Sequence, residues 1–222
     1  MTKKVLVVAA HPDDEALGCA GTIAKHVAAG DDVHVLFMTD GVGSRVVSED
    51  EIAERQKSSQ KALNTLGVAS SDSFNFPDNE MCTVSLLDII KSVEKVISKL
   101  KPEVIYTHHI GDLNVDHQIT HKAVMTACRP QPDMSVKEIY AFEVLSSTEW
   151  QTPGLLPFLP NVFIDISTYI DVKREVLEIY GEEMREPPHS RSIDNAIRLN
   201  SVRGNLVGYY FAEAYVCLRL LK

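Results

Sequence analysis

Through the first 128 residues, short apolar runs alternate with amphipathic stretches, and few chain topologies satisfy that order. Val5–Ala10 reads as a strand, and Leu17–Ala29 has helical spacing before Gly30, a residue suited to end a helix. Val33–Met38 is a second strand, ending at Thr39-Asp40-Gly41. Ser48-Glu49-Asp50-Glu51 has the pattern of a capping box opening a helix to about Leu66, with Gly67 after it. Ser73–Phe76 is a short strand broken by Pro77, and Ser85-Leu86-Leu87-Asp88 opens a helix to about Leu100. Val104–Thr107 is another strand, followed by the polar segment 108–117 and a helix to about Cys128. Such alternation predicts an α/β fold, a mostly parallel sheet with helices on both faces.

Further on, Glu138–Leu145 and Val162–Ile166 read as strands, Asp171–Met184 and Ile193–Leu206 as helices, and Ala214–Leu221 as a last apolar run. Prolines at 130, 132, 153, 157 and 160 mark irregular loops, but no shift in composition marks a linker. One domain over residues 1–222 is expected, long enough for a sizeable core.

A net charge of −9 argues against a general nucleic-acid or anionic-membrane binder, which needs a basic face. The longest apolar stretches, such as 4–10 and 33–38, fall far short of the roughly 20 residues that span a bilayer, so no membrane span is expected. The basic start Met1-Thr2-Lys3-Lys4 leads through a brief apolar run into acids, unlike a secretory signal, and the reading is cytoplasmic. Cys19, Cys82, Cys128 and Cys217 are scattered without a Cys-x-x-Cys pair, which suggests thiols in a reducing compartment. There is no Gly-x-Gly-x-x-Gly, Walker-type or Gly-x-Ser-x-Gly motif to suggest nucleotide binding or a serine nucleophile.

The chemistry gathers where the first strand ends, at His11-Pro12-Asp13-Asp14-Glu15. Strand ends in open α/β sheets are where ligands bind. Three neighbouring acids repel one another, and a cation is the natural agent to neutralise them. Pro12 fixes a turn that would let His11 and Asp14 converge with Asp13 beside them. Imidazole with carboxylate suits zinc, and iron(II) or another divalent ion would also accept the set.

A catalytic zinc takes three protein ligands, so a third must come from elsewhere. The other histidine-rich segment, His108-His109-Ile110-Gly111-Asp112-Leu113-Asn114-Val115-Asp116-His117 and then His121, also follows a strand. A parallel sheet would bring both segments to the same edge, within reach for His117. Asp112 or Asp116 would then orient an imidazole. His121 shares a helix face with His117 and reads as a supporting or packing residue. Taken singly, Asp13, Asp14 and Glu15 would be ordinary helix caps.

The chain resembles the LmbE-like or PIG-L-like N-deacetylases, metal-dependent enzymes that remove acetyl from N-acetylglucosamine units. Ala10-His11-Pro12-Asp13-Asp14-Glu15 is similar to that family's signature. The likeness continues in Thr39-Asp40-Gly41, Arg55, Leu66-Gly67-Val68, Phe76-Pro77-Asp78-Asn79 and Asp116-His117, then in Arg203-Gly204 and Ala212-Glu213-Ala214-Tyr215. It implies a three-layer, Rossmann-like fold, with His11, Asp14 and His117 as metal ligands and Asp13 as general base. Where many relatives carry His-Pro-Asp-His this chain has Asn114-Val115-Asp116-His117. Asn114 can donate a hydrogen bond but cannot shuttle a proton, so Asp13, His109 or His189 would take that part; Asp116 completes the expected catalytic group.

The resemblance points to a small acetamido sugar or glycoconjugate as substrate, and a homo-oligomer is compatible with it. Arg55, Asp78, Asn79, His189 and Arg191 are the expected substrate contacts, with Arg45 a further loop arginine. The loop Pro187-Pro188-His189-Ser190-Arg191 is placed to cover the site, and Trp150 suits either site or core. An amidase for another N-acyl conjugate would share every ligand, as would a non-catalytic metal- or carbohydrate-binding relative.

Overall fold

The computed structural model describes residues 2–41 and 49–222. Arg45 and the start of the expected capping box at Ser48 lie outside the described residues. Seven strands, β1 Lys4–Ala9, β2 Asp32–Thr39, β3 Ser70–Phe76, β4 Val104–His108, β5 Glu138–Phe142, β6 Val162–Asp165 and β7 Ala212–Leu220, form one sheet in the order β3-β2-β1-β4-β5-β7-β6. The first five run parallel; β7 pairs antiparallel with both β5 and β6. The expected mostly parallel α/β sheet is therefore what forms. The chain leaves β1 for β2 on one side and returns to β4 on the other, so the strand order reverses between β1 and β4. A crevice opens outside the carboxyl ends of strands at such a switch point.

Helices α1 Asp14–Ala28, α2 Glu49–Leu66, α5 Ile170–Ile179 and α6 Ile193–Asn205 cover one face, and α3 Leu86–Leu100 and α4 Val115–Ala127 cover the other. This explains the unbroken apolar run of β1: Val5 and Val7 enter one core, and Leu6 and Val8 enter the other. Edge strand β3 starts three residues before the expected Ser73, at Ser70. Its polar Ser-Ser-Asp start reads as loop, yet an edge strand needs only one pairing partner and tolerates solvent-facing side chains. Strand β5 stops short of the expected Leu145, and α5 ends before Gly181 rather than at Met184.

Helix α1 is not continuous. Cys19 sits at φ −151°, ψ 20°, which breaks the ladder and frees backbone groups on both sides. A buried ion pair staples the break. Glu213 of β7 accepts the N–H groups of Gly21 and Thr22 at 3.0 and 2.7 Å, while Lys173 of α5 donates to Leu17 O at 2.9 Å. The two side chains meet at 2.6 Å, each 1% exposed. Carboxylate and ammonium thus complement the helix-end charges they face. The helix also lies close on the sheet at Gly18, where a Cβ would come within 2.5 Å of the Phe142 ring.

Candidate metal centre and active site

Strand β1 delivers the chain to a tight turn at 11–13, and α1 begins at Asp14, three residues before the helix expected from its apolar spacing. Asp13 is held at φ 124°, ψ −25°, a backbone region strained for a side-chain-bearing residue by about 1–3 kcal/mol. The surroundings fix that turn at several points. Asp14 Oδ2 accepts His11 N–H at 2.8 Å, Glu15 Oε2 accepts Asp13 N–H at 3.0 Å, and Arg55 Nη2 donates to Pro12 O at 2.9 Å. Glu15 is fully buried and also accepts from Tyr180 Oη at 2.7 Å. Burial pushes its carboxyl up to about 8 despite those donors.

Across the switch point, α4 starts one residue past Asn114, which caps it by accepting Asp116 N–H at 2.8 Å. His117 therefore falls in the first turn and faces β1. His11 Nδ1, Asp14 Oδ2 and His117 Nε2 form a near-equilateral triangle with sides of 3.2, 3.3 and 3.3 Å. A tetrahedral ion with bonds of about 2.0–2.1 Å requires donor atoms about 3.3–3.4 Å apart. The residues present fit a small divalent ion.

The atoms behind the triangle support that fit. His11 turns its other nitrogen to Asp78 at 3.0 Å and Asp116 at 3.3 Å. His117 Nδ1 stands 3.1 Å from Asp112 Oδ1, though without hydrogen-bond alignment. Carboxylates behind ligating imidazoles set ring orientation and basicity. Two further clusters, His108–Asp112–His117 and His11–Asp78–Asp116, also bring donor atoms together. In these clusters Asp112 also accepts from Ser147, Thr148 and Asn114 N–H, and Asp116 from the N–H groups of Asn79 and Met81. His108 Nε2 accepts Ala10 N–H at 2.8 Å.

The electrostatics express the same demand for positive charge. Burial disfavours a charged His117, yet Asp14 and Asp112 outweigh it and lift the imidazole to about 9. Burial likewise opposes charge on His11, and the carboxylates around it still raise it well above the ordinary histidine value. Burial raises Asp112, but His117 and hydrogen bonds bring it down to about 2. A divalent ion would meet this demand and displace protons from both rings.

His11, Asp13, Asp14 and His117 line one cavity of about 140 Å³ with Arg55, Asp78, Asn79, Asn114 and Arg191. Burial raises Asp13 to about 6, with Arg191 opposing the rise. Asp116 lies behind His11. Asn114 spends its amide on Asn79 Oδ1 at 3.0 Å as well as on the cap. His189 does not line the cavity; its Nδ1 accepts Arg191 N–H at 3.0 Å and its ring packs edge-on to Trp150. His109 accepts Gly111 N–H and packs against Phe158. The sequence carries no local signal for the Ser147–Thr148 pair, whereas His108 is detectable as the last residue of a strand beside β1.

The family model for GlcNAc-PI de-N-acetylases, PIG-L, matches residues 6–128. The chain is 31% identical to the "uncharacterized deacetylase YaiS" of Escherichia coli K12, over 79% of this chain and 89% of that protein. It is 28% identical to the 1D-myo-inositol 2-acetamido-2-deoxy-α-D-glucopyranoside deacetylase of Rhodococcus jostii RHA1, over 84% and 83% of the two chains. The N,N′-diacetylchitobiose deacetylase structure from Pyrococcus horikoshii superposes with a TM-score of 0.78 at 20% identity, covering 98% of this chain and 84% of that one, a likeness of fold. With the signature turn, the strand order and these matches in agreement, the chain belongs to the PIG-L, or LmbE-like, de-N-acetylase family.

Proposed function

We propose that this single-domain protein is a zinc- or iron(II)-dependent hydrolase that removes the N-acetyl group of an N-acetylglucosamine-type sugar or glycoconjugate. The observation that carries this reading is the donor triangle of His11, Asp14 and His117, with the Asp13 carboxyl beside it in one cavity. The relatives named for sugar deacetylation support the choice of substrate class. Four unpaired cysteines are in keeping with a reducing cytoplasm.

His11, Asp14 and His117 would hold a divalent ion, which would supply Lewis acidity for the activation of a water. Asp13 takes the proton of the attacking water and later returns it to the departing amine, with acetate as the other product. Asp112, Asp78 and Asp116 keep both imidazoles turned toward the triangle. Arg55, Asp78 and Asn79 contact the sugar; Asn114, engaged on both sides of its amide, shapes the wall and leaves proton transfer to Asp13.

The test measures metal content and acetate release from a panel of acetamido sugars. Asp13→Asn tolerates positive φ, so it should keep the ion and lose turnover by about 100-fold or more. His11→Ala should lose the ion as well. Full turnover in a metal-loaded Asp13→Asn protein would overturn the assignment of the base. Release of a different acyl group, with acetamido sugars inert, would move the reading to an amidase.

A further inference from the structure

Arg191 is held more firmly than a substrate contact on a surface loop requires. It lies between α5 and α6, 178 residues after Asp13, and its Nη1 donates to Asp13 Oδ2 at 3.1 Å. Nε of the same guanidinium donates to Ser146 Oγ at 2.8 Å, so the planar group is gripped from two sides. The loop beneath is fixed in turn: Arg185 N–H donates to Arg191 O at 3.2 Å, and Asn195 Nδ2 donates to Ser190 O at 2.8 Å. Other contacts pin the backbone of the 11–15 turn, whereas Arg191 alone among the described residues grips the side chain of Asp13.

An aspartate carboxylate rotates readily about its last bond, and a base must present one oxygen lone pair along a defined line. Asp13 Oδ2 is taken by Arg191, while no protein donor among the described residues meets Oδ1. Resting on the reading of Asp13 as general base, we propose that Arg191 is a positioning residue, holding Oδ2 so that Oδ1 faces the space beside the His11–Asp14–His117 triangle. A cation beside a base weakens it, a cost that only a gain in geometry offsets. Two of the five guanidinium N–H groups of Arg191 are committed in this way, one to Asp13 and one to Ser146.

The experiment compares wild type with Arg191→Ala, Arg191→Lys and Asp13→Asn, each loaded with zinc for kinetics and with cobalt(II) for visible absorption. In Arg191→Ala, kcat should fall about 100-fold, the loss expected of a misplaced reacting group, with KM and metal content near wild type. Free guanidinium should restore a large part of that loss, and Arg191→Lys, lacking the second anchor on Ser146, should recover only a fraction. The cobalt spectrum of Arg191→Ala should change as that of Asp13→Asn does, a readout that needs no substrate. An Arg191→Ala protein with raised KM and unchanged kcat would overturn the proposal in favour of direct sugar contact. A cobalt spectrum altered by Asp13→Asn but untouched by Arg191→Ala would overturn it as well. Should wild type release no acetate from any acetamido sugar, the substrate reading fails, while the cobalt comparison still decides the role of Arg191.

Discussion

The buried pair Lys173–Glu213 should be strongly asymmetric, and the asymmetry follows from what each charge holds. Glu213→Ala leaves Gly21 N–H and Thr22 N–H without an acceptor and strands the Lys173 ammonium in a site 1% exposed. An unsatisfied buried donor costs about 1–3 kcal/mol, and breaking a buried pair about 3–5 kcal/mol. These overlap, so about 5 kcal/mol is the expected loss for Glu213→Ala. Lys173→Met removes the donor to Leu17 O and the ion pair with Glu213, while Glu213 retains Gly21, Thr22 and the Tyr215 hydroxyl at 3.1 Å. Its loss should be about 2 kcal/mol, because the remaining carboxylate is still hydrogen-bonded. At about 2–4 °C per kcal/mol for a chain of this size, the melting temperatures should separate by roughly 6–12 °C. Urea unfolding followed by circular dichroism reads both, with Glu213→Gln as the milder variant should Glu213→Ala fail to fold. A Lys173→Met protein as destabilised as Glu213→Ala would refute the claim that the carboxylate holds the break in α1.

Three further outcomes follow from single contacts. Glu15 titrates near 8 when folded against an ordinary 4.5, so the folded state holds its proton more tightly and stability falls as pH rises between those values. Glu15→Gln can still accept Asp13 N–H, so its stability relative to wild type should climb across that window; a flat difference in melting temperature from pH 5 to 8 would contradict the burial of a protonated acid. Asn114→Ala should cost about 1 kcal/mol through loss of the α4 cap, whereas Asn114→Asp keeps the cap acceptor, and equal denaturation midpoints for the two variants would argue against it. Gly18→Ala should destabilise by about 1–3 kcal/mol because its Cβ meets the Phe142 ring at 2.5 Å, and Phe142→Leu in the same background should return part of that loss.

The first half of the fold was legible because β1, β2 and β4 carry apolar runs whose two faces enter two cores, a pattern that polar edge strands lack. The same topology made the meeting of 11–14 with 117 legible: consecutive parallel strands bring their carboxyl ends to one edge, and β1 and β4 are neighbours. Asn114 ahead of a helix carried a readable capping signal, one that competes with the catalytic reading given to it. The rest depended on distance. Nothing local to Glu213 or Lys173 announces a break in a helix some 150 residues or more away in sequence. The strain at Asp13 was equally hidden, since the turn that carries its φ of 124° is held at Pro12 O by Arg55, a residue of the distant helix α2. His189 read as a site residue from its loop, but its nitrogen is spent on Arg191 within that loop.

The central claim is that His11, Asp14 and His117, rather than the neighbouring clusters, hold the ion. Calorimetric titration of zinc into chelator-treated protein, with circular dichroism to verify the fold of each variant, tests it directly. One ion per chain should bind to wild type and to Asp13→Asn. His117→Ala and Asp14→Ala should abolish tight binding, while Asp78→Asn should weaken it by about 10–100-fold, as loss of a carboxylate behind a ligand does. Tight binding that survives His117→Ala and Asp14→Ala but is abolished by Asp78→Asn or Asp116→Asn would place the ion on the other side of His11 and contradict the account.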